Sequence, residues 1–159
     1  MGIGYDVHPL APGRPLVLGG VTVPYERGLA GWSDGDVLAH AVMDALLGAA
    51  SLGDIGSHFP PGDPRYRGIS SLELLQRVGT LLRDAGWRVV NIDAIIAAEQ
   101  PRLAGHFAIM RQNMAQALGI DPGQVGLKAT TSEGLGFVGR GEGMAAWAVA
   151  LIEGVELSR

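Results

Sequence analysis

Polar and apolar positions alternate from the first residues of the chain. In "GIGYDVHPL" (2–10) a strand period puts Asp6 and His8 on one face and Tyr5 and Val7 on the other. "PLVLGGVTVPYE" reads as two short strands around Gly19–Gly20, a hairpin pattern. The period then lengthens. In "SDGDVLAHAVMDALLGAASLG" (33–53), Leu38, Val42, Ala45, Leu46 and Ala49 form one helical stripe, with Ser33 or Asp34 as cap and Gly53 as stop. "DIGSHFPPGDPRYRG" (54–68) is a Pro- and Gly-rich loop, long for a small domain. "SSLELLQRVGTLLRDAG" is a second amphipathic helix, capped by Ser70 or Ser71 and stopped by Gly86. "WRVVNIDAIIAAE" is a strand, "HFAIMRQNMAQALG" a third helix and "QVGLKATT" another strand. "SEGLGFVGRGEG" is a Gly-rich connection before a final buried strand, "MAAWAVALIE".

This order predicts a single domain of α/β (α+β) class over residues 1–159, with helices packed on one face of a sheet. The other sheet face is apolar too, and three helices cannot cover both. A partner subunit is the expected cover.

Composition narrows the function classes. Apolar residues make up 47% of 159, enough for a core, and the net charge of -4 argues against a nucleic-acid binder. The absence of cysteine removes disulfides, thiolate metal sites and cysteine nucleophiles. With no signal-peptide pattern and no apolar run near the ~18 residues of a membrane span, a cytoplasmic protein is expected, with no membrane association.

The chemistry concentrates in four stretches. Asp6 and His8 side by side make half a metal site, or two solvated residues on an edge strand. His40, on the first helix, can complete a three-ligand set of the hardness zinc accepts, with an open fourth position. Asp44, one turn on, either orients His40 or caps a polar patch. Asp34 and Asp36 either cap the helix or meet substrate. Asp54 and Asp63 lie in the long loop with Phe59. Lys128, Thr130, Thr131, Ser132 and Arg140 suit phosphate, and Glu133 suits magnesium; the alternative is a flexible turn. "GFVGRG" lacks the dinucleotide spacing and no Walker loop is present.

Taken together, "GYDVHPL", "SDGDVLAHAVMDALLGAASLGDIG", "FP" with "DP", and "KATTSEGLGFVGRGEG" resemble the 2-C-methyl-D-erythritol 2,4-cyclodiphosphate synthase family across essentially the whole chain. The resemblance implies a homotrimer with active sites between subunits, acting in the non-mevalonate isoprenoid pathway. It implies zinc, or a similar divalent ion, on Asp6, His8 and His40, and magnesium or manganese on Glu133. Thr130, Thr131 and Ser132 would hold phosphate, with Thr131 stabilising the transition state. Ser33, Asp54, Ile55, Gly56, Phe59 and Asp63 would surround the methylerythritol unit of a CDP-linked substrate. Ala98, Pro101, Arg102, Leu103 and Ala129 would shape the cytidine pocket. Phe137 and Arg140 match residues near the trimer axis, where relatives can hold an isoprenoid diphosphate.

Two positions depart from the family's pattern. "GWSDGD" replaces "AHSDGD", so Trp32 stands where a catalytic histidine is usual, and indole offers one donor and no charge. "FPPGDP" replaces "FPDTDP", so Pro61 lacks a carboxylate. A zinc phosphodiesterase, and a non-catalytic binder of isoprenoid diphosphate around Phe137 and Arg140, are the competing readings.

Overall fold

The computed structural model describes residues 1–155; residues 156–159, at the end of the expected domain, lie outside the described residues. Strand β1 (Gly2–Pro12) is followed by a small hairpin, β2 (Leu16–Leu18) and β3 (Val21–Val23), and then by β4 (Arg27–Leu29). Helix α1 (Val37–Ala49), the short α2 (Ile55–His58) and α3 (Ser71–Asp84) lead into β5 (Trp87–Ala97). Helix α4 (Phe107–Leu118), β6 (Val125–Thr130), the short α5 (Gly136–Gly139) and β7 (Gly143–Gly154) complete the chain. The main sheet runs β4-β1-β7-β5-β6; only β5 and β6 pair in parallel. The expected mixed α/β architecture is present, with α1, α3 and α4 on one face of the sheet.

The strand period decides what each face carries. Along β7, Ala146, Ala148, Ala150 and Ile152 turn inward beneath the helices, while Trp147, Val149 and Leu151 turn outward and stay more than 40% exposed. Within one chain β7 is therefore buried throughout Gly143–Ala146 and on one face only beyond it, where the sequence suggested a buried strand. In register beside it on β1 stand Ile3 and Tyr5, and Val7 follows, so the outward face is a continuous apolar surface. The Tyr5 and Trp147 rings lie 5.1 Å apart.

Helix α1 sits unusually close to the sheet. A Cβ on Gly2 or Gly4 would collide with the backbone of α1 at Ala45 or Ala41. Small residues on both sides let the helix axis approach β1, and this is what brings His40 down to the level of Asp6 and His8. Ten of the thirteen α1 residues are buried, far more than the predicted stripe, because sheet, α3 and hairpin surround the helix.

The helix caps also differ from expectation. Of the cap candidates Ser33, Asp34 and Asp36, it is Asp36 that caps α1: its carboxylate accepts from Ala39 N–H at 3.0 Å and from Gly19 and Gly20 N–H at 3.0 and 2.9 Å, which pins the hairpin turn to the helix. Burial first, then the Asp34 charge, push Asp36 up to about 6 despite these three donors. α1 ends at Ala49, four residues before Gly53. Ser70 occupies the N-cap position of α3 but makes no side-chain cap bond. The long loop is ordered by α2 and by a 3₁₀ turn at Pro64–Tyr66.

Candidate active site

Asp6 and His8 project from the helix-facing side of β1, and His40 meets them from the first turn of α1. Asp6 Oδ2 lies 2.8 Å from His8 Nε2 and 3.0 Å from His40 Nδ1, and the two ring nitrogens are 3.1 Å apart. A tetrahedral ion with bonds of about 2.0–2.1 Å needs ligand atoms roughly 3.3 Å apart. Opening by a few tenths of an ångström would seat one. Asp6, His8 and His40 can therefore hold a metal ion.

The surrounding bonds aim the ring nitrogens. Ala30 follows β4, and its N–H donates to Pro9 O at 2.9 Å, which places the Ala30 carbonyl beside His8. A carbonyl only accepts, so His8 Nδ1 carries the proton that reaches it at 2.7 Å, and Nε2 is left to face the cluster. Burial would lift the Asp6 carboxyl, but the hydrogen bonds from His40 and His8 outweigh it and hold Asp6 at about 2. Burial would likewise lower His8, yet the Asp6 carboxylate leaves it raised. Without a metal, the three groups behave as a charge-compensated cluster.

This cluster forms one wall of a cleft of about 220 Å³. Trp32, Ser33, Ile55, Gly56 and Phe59 line it, with Pro61, Tyr66 and Leu74. Ser33 Oγ is 3.1 Å from His40 Nε2. Asp54 and Asp63 are not among the residues lining this cleft, and both organise the loop beside it. Asp54 caps α2 through Ser57 N–H at 2.8 Å, and Asp63 caps the 3₁₀ turn and pairs with Arg65 at 2.6 Å. Asp44 accepts from Ile55 N–H at 2.8 Å, so it fixes the start of the loop rather than orienting His40. The Trp32 indole N–H is committed to Asp63 O at 3.0 Å, and Arg67 stacks over its ring. Trp32 thus ties the turn before α1 to the far side of the loop.

The phosphate stretch lies elsewhere. Ala98, Pro101, Arg102, Leu103, Ala129, Thr130 and Thr131 line a separate cavity of about 250 Å³, together with Glu99, Ala104 and Phe107. The sequence did not single out Glu99. It accepts from Ser132 N–H at 2.7 Å and so ties the loop after β6 to the loop after β5. Glu133 has φ 53, a left-handed conformation that costs a non-glycine residue energy, of the kind found at functional loops. Its N–H donates to Thr131 Oγ1 at 3.3 Å. The Lys128 ammonium is already paired with Asp93 across the strands. Arg140 pairs with Glu142 at 2.8 Å, and Phe137 is exposed nearby on α5.

The sheet register separates the two regions. His8 pairs with Met144, the adjoining Ala145 with Ala97, and Ala97 with Thr130. Three inter-strand steps amount to about 14 Å. Within one chain, Asp6, His8 and His40 therefore stand well apart from Thr130, Thr131 and Glu133.

A mixed sheet, a three-residue cluster that can hold a metal ion at the wall of a cleft, and a distant loop of hydroxyls are features of an enzyme site. The comparisons place it further: the chain belongs to the YgbB family, which matches residues 1–153. A curated relative from Dehalococcoides mccartyi, 2-C-methyl-D-erythritol 2,4-cyclodiphosphate synthase, is 65% identical over 153 residues, covering 96% of this chain and 98% of its own. A solved CDP-bound 2C-methyl-D-erythritol-2,4-cyclodiphosphate synthase is similar with TM-score 0.87 and 36% identity, over 96% of this chain and 99% of that one. The bifunctional IspDF of Campylobacter jejuni is similar with TM-score 0.93 and 42% identity, over 96% of this chain; the match spans 42% of that longer protein. Among the described residues, no helix is long and apolar enough to cross a membrane.

Proposed function

We propose that the chain converts 4-diphosphocytidyl-2-C-methyl-D-erythritol 2-phosphate into 2-C-methyl-D-erythritol 2,4-cyclodiphosphate and CMP, as a lyase of the non-mevalonate isoprenoid pathway. The observation that carries this reading is the convergence of Asp6, His8 and His40 within 3.1 Å of one another at a cleft, in a chain 65% identical to a relative of that name.

In the reaction, a 2-phosphate oxygen forms a bond to the β-phosphorus. The bond from the β-phosphorus to the bridging oxygen breaks, and that oxygen leaves with CMP. No water is consumed. The nucleophile is already anionic, so positioning and charge neutralisation supply the rate. Zinc on Asp6, His8 and His40, and magnesium or manganese on Glu133, would draw charge from the diphosphate when bound. Ser33, Ile55, Gly56 and Phe59 hold the methylerythritol unit, with Asp54 and Asp63 shaping the loop around it. Thr130 and Ser132 bind phosphate, and Thr131 meets the charge that develops at the β-phosphorus. Ala98, Pro101, Arg102, Leu103 and Ala129 seat the cytidine.

These roles require a second copy of the chain. A diphosphate is too short to bridge about 14 Å between the two regions of one chain. A homotrimer that sets the metal cradle of one subunit against the Thr131–Glu133 loop of the next resolves this. It also covers the apolar face of Ile3, Tyr5, Trp147 and Val149. Phe137 and Arg140 then fall near the trimer axis, suited to an isoprenoid diphosphate.

Incubating the protein with the cytidyl substrate, zinc and magnesium, and following phosphorus NMR, tests the reading. Equal amounts of CMP and cyclic diphosphate are expected. A linear diphosphate would instead mark a hydrolase, and the absence of CMP would mark a binding protein.

A further inference from the structure

The last unexplained polar group near the metal cradle is Ser71. It is fully buried, stands at the first position of α3, and was not among the residues the sequence marked as functional. Its hydroxyl oxygen lies 2.9 Å from His40 Nε2 and 2.5 Å from Asp34 Oδ1. Asp34 Oδ2 accepts from Ser71 N–H at 2.9 Å, and Oδ1 also accepts from Asp36 N–H at 3.1 Å.

With a metal on Nδ1, that nitrogen carries no proton, and counting protons along the rest of this chain leaves one assignment. An ionised carboxylate can only accept, so the single Ser71 hydroxyl proton goes to Asp34. The Ser71 oxygen then presents a lone pair to His40, and Nε2 must carry the proton between them. With Nε2 holding its proton, the only proton a metal displaces from the ring is the one that Nδ1 otherwise donates to Asp6, and the freed Nδ1 lone pair faces the ion beside Asp6 and His8. Ser33 Oγ, 3.1 Å from the same Nε2, shares that proton, so its own hydroxyl proton is free to point into the cleft.

We propose that Asp34 and Ser71 form a relay of positioning residues that fixes the tautomer and ring orientation of His40 for metal binding. The inference rests on the reading of Asp6, His8 and His40 as a metal site. It explains why the turn before α1 carries two aspartates: Asp36 caps the helix, and Asp34 reaches across to α3. It also ties the α1–α3 packing to the metal site, since Ser71 is anchored through both its backbone and its side chain. Ligating histidines are commonly held by such an acceptor on the second nitrogen, and its loss weakens metal binding by about 10- to 100-fold.

The test is zinc affinity, measured on the intact protein by competition with a chromophoric chelator, with circular dichroism and thermal melts to establish folding. Ser71→Ala should weaken zinc by about 10- to 100-fold. Asp34→Asn should do the same through a different change: its amide can donate to the Ser71 oxygen and turn the hydroxyl proton toward Nε2. Because both act through one hydroxyl, the double variant should lose no more than the worse single variant. Losses that multiply, or folded single variants that bind zinc as the parent does, would overturn the relay. Proton–nitrogen NMR of the zinc-loaded parent needs no variant: the His40 Nε2 proton should exchange slowly, and exchange as fast as in free imidazole would also overturn it. His8→Ala separates this inference from the reading beneath it. If the parent binds zinc and His8→Ala does not, while Ser71→Ala and Asp34→Asn bind normally, the metal site stands and the relay falls. If the parent binds no zinc, both fall.

Discussion

The two functional regions of this chain are built in opposite ways. The metal cradle is an intramolecular structure: β1 supplies two ligands, α1 the third, and Ala30, Ser33 and Ser71 fix the rings from three further segments. His40 is buried, and Asp6 and His8 are half-buried. The loop from Thr131 to Arg140 has almost none of this support. Its polar residues are largely exposed, and its main tie to the body is the bond from Ser132 to Glu99. A site that must bind an ion before substrate arrives needs its ligands fixed in advance. In the proposed trimer the loop would be completed by the neighbouring subunit.

Exchange between subunits tests that contrast most severely. His40→Ala should lower turnover by at least about 10³-fold without unfolding the protein, and Glu133→Gln should cripple the other half of the site. Mixing the two inactive variants and letting the subunits exchange should restore about a quarter of the parent rate, because random assembly leaves that share of sites with both halves intact. No recovery, in assemblies shown to be mixed by mass spectrometry, would mean that the two regions do not meet between subunits.

A smaller effect sharpens the account of the cradle. Gly4→Ala would push α1 away from β1, since its Cβ would meet the Ala41 backbone. Overpacking of this kind costs about 1–3 kcal/mol, measurable by denaturant unfolding, and zinc affinity should fall with it. An alanine variant with unchanged stability would show that the helix can lift without consequence.

The smallest effect is the pH dependence of the metal-free protein. Asp6, depressed to about 2, contributes stability above its unfolded value of 3.8 that is lost as pH falls toward 2. His8, raised above 6.5, contributes stability below that value that is lost as pH rises through its folded value. The contribution of the cradle should therefore be largest between about pH 4 and 6.5 in thermal melts. Zinc should reverse the alkaline limb, because the ligands must release protons to bind it. A flat profile without metal would argue against the charge-compensated cluster.

Much of this molecule was legible in one dimension because its signals are local. The strand period put Asp6 and His8 on one face, and the helical period placed His40 on α1. The order of strands and helices gave the class of fold, and the outward apolar residues of β1 and β7 follow from the same alternation. What one dimension could not supply was distance. Nothing in the spacing of Asp34, His40 and Ser71 reveals that one hydroxyl joins them, because the contact spans two helices. Asp36 was one of several cap candidates for α1, and the two further donors that the hairpin turn offers its carboxylate are a tertiary feature invisible in the cap pattern. Asp44, Asp54 and Asp63 each also accept a nearby backbone N–H, bonds that the sequence did not reveal. The sequence alone determined which residues could do chemistry and which face of each element would carry them. Only the tertiary structure decided which of them meet, because hydrogen bonds form over a few ångströms of space and take no account of separation along the chain.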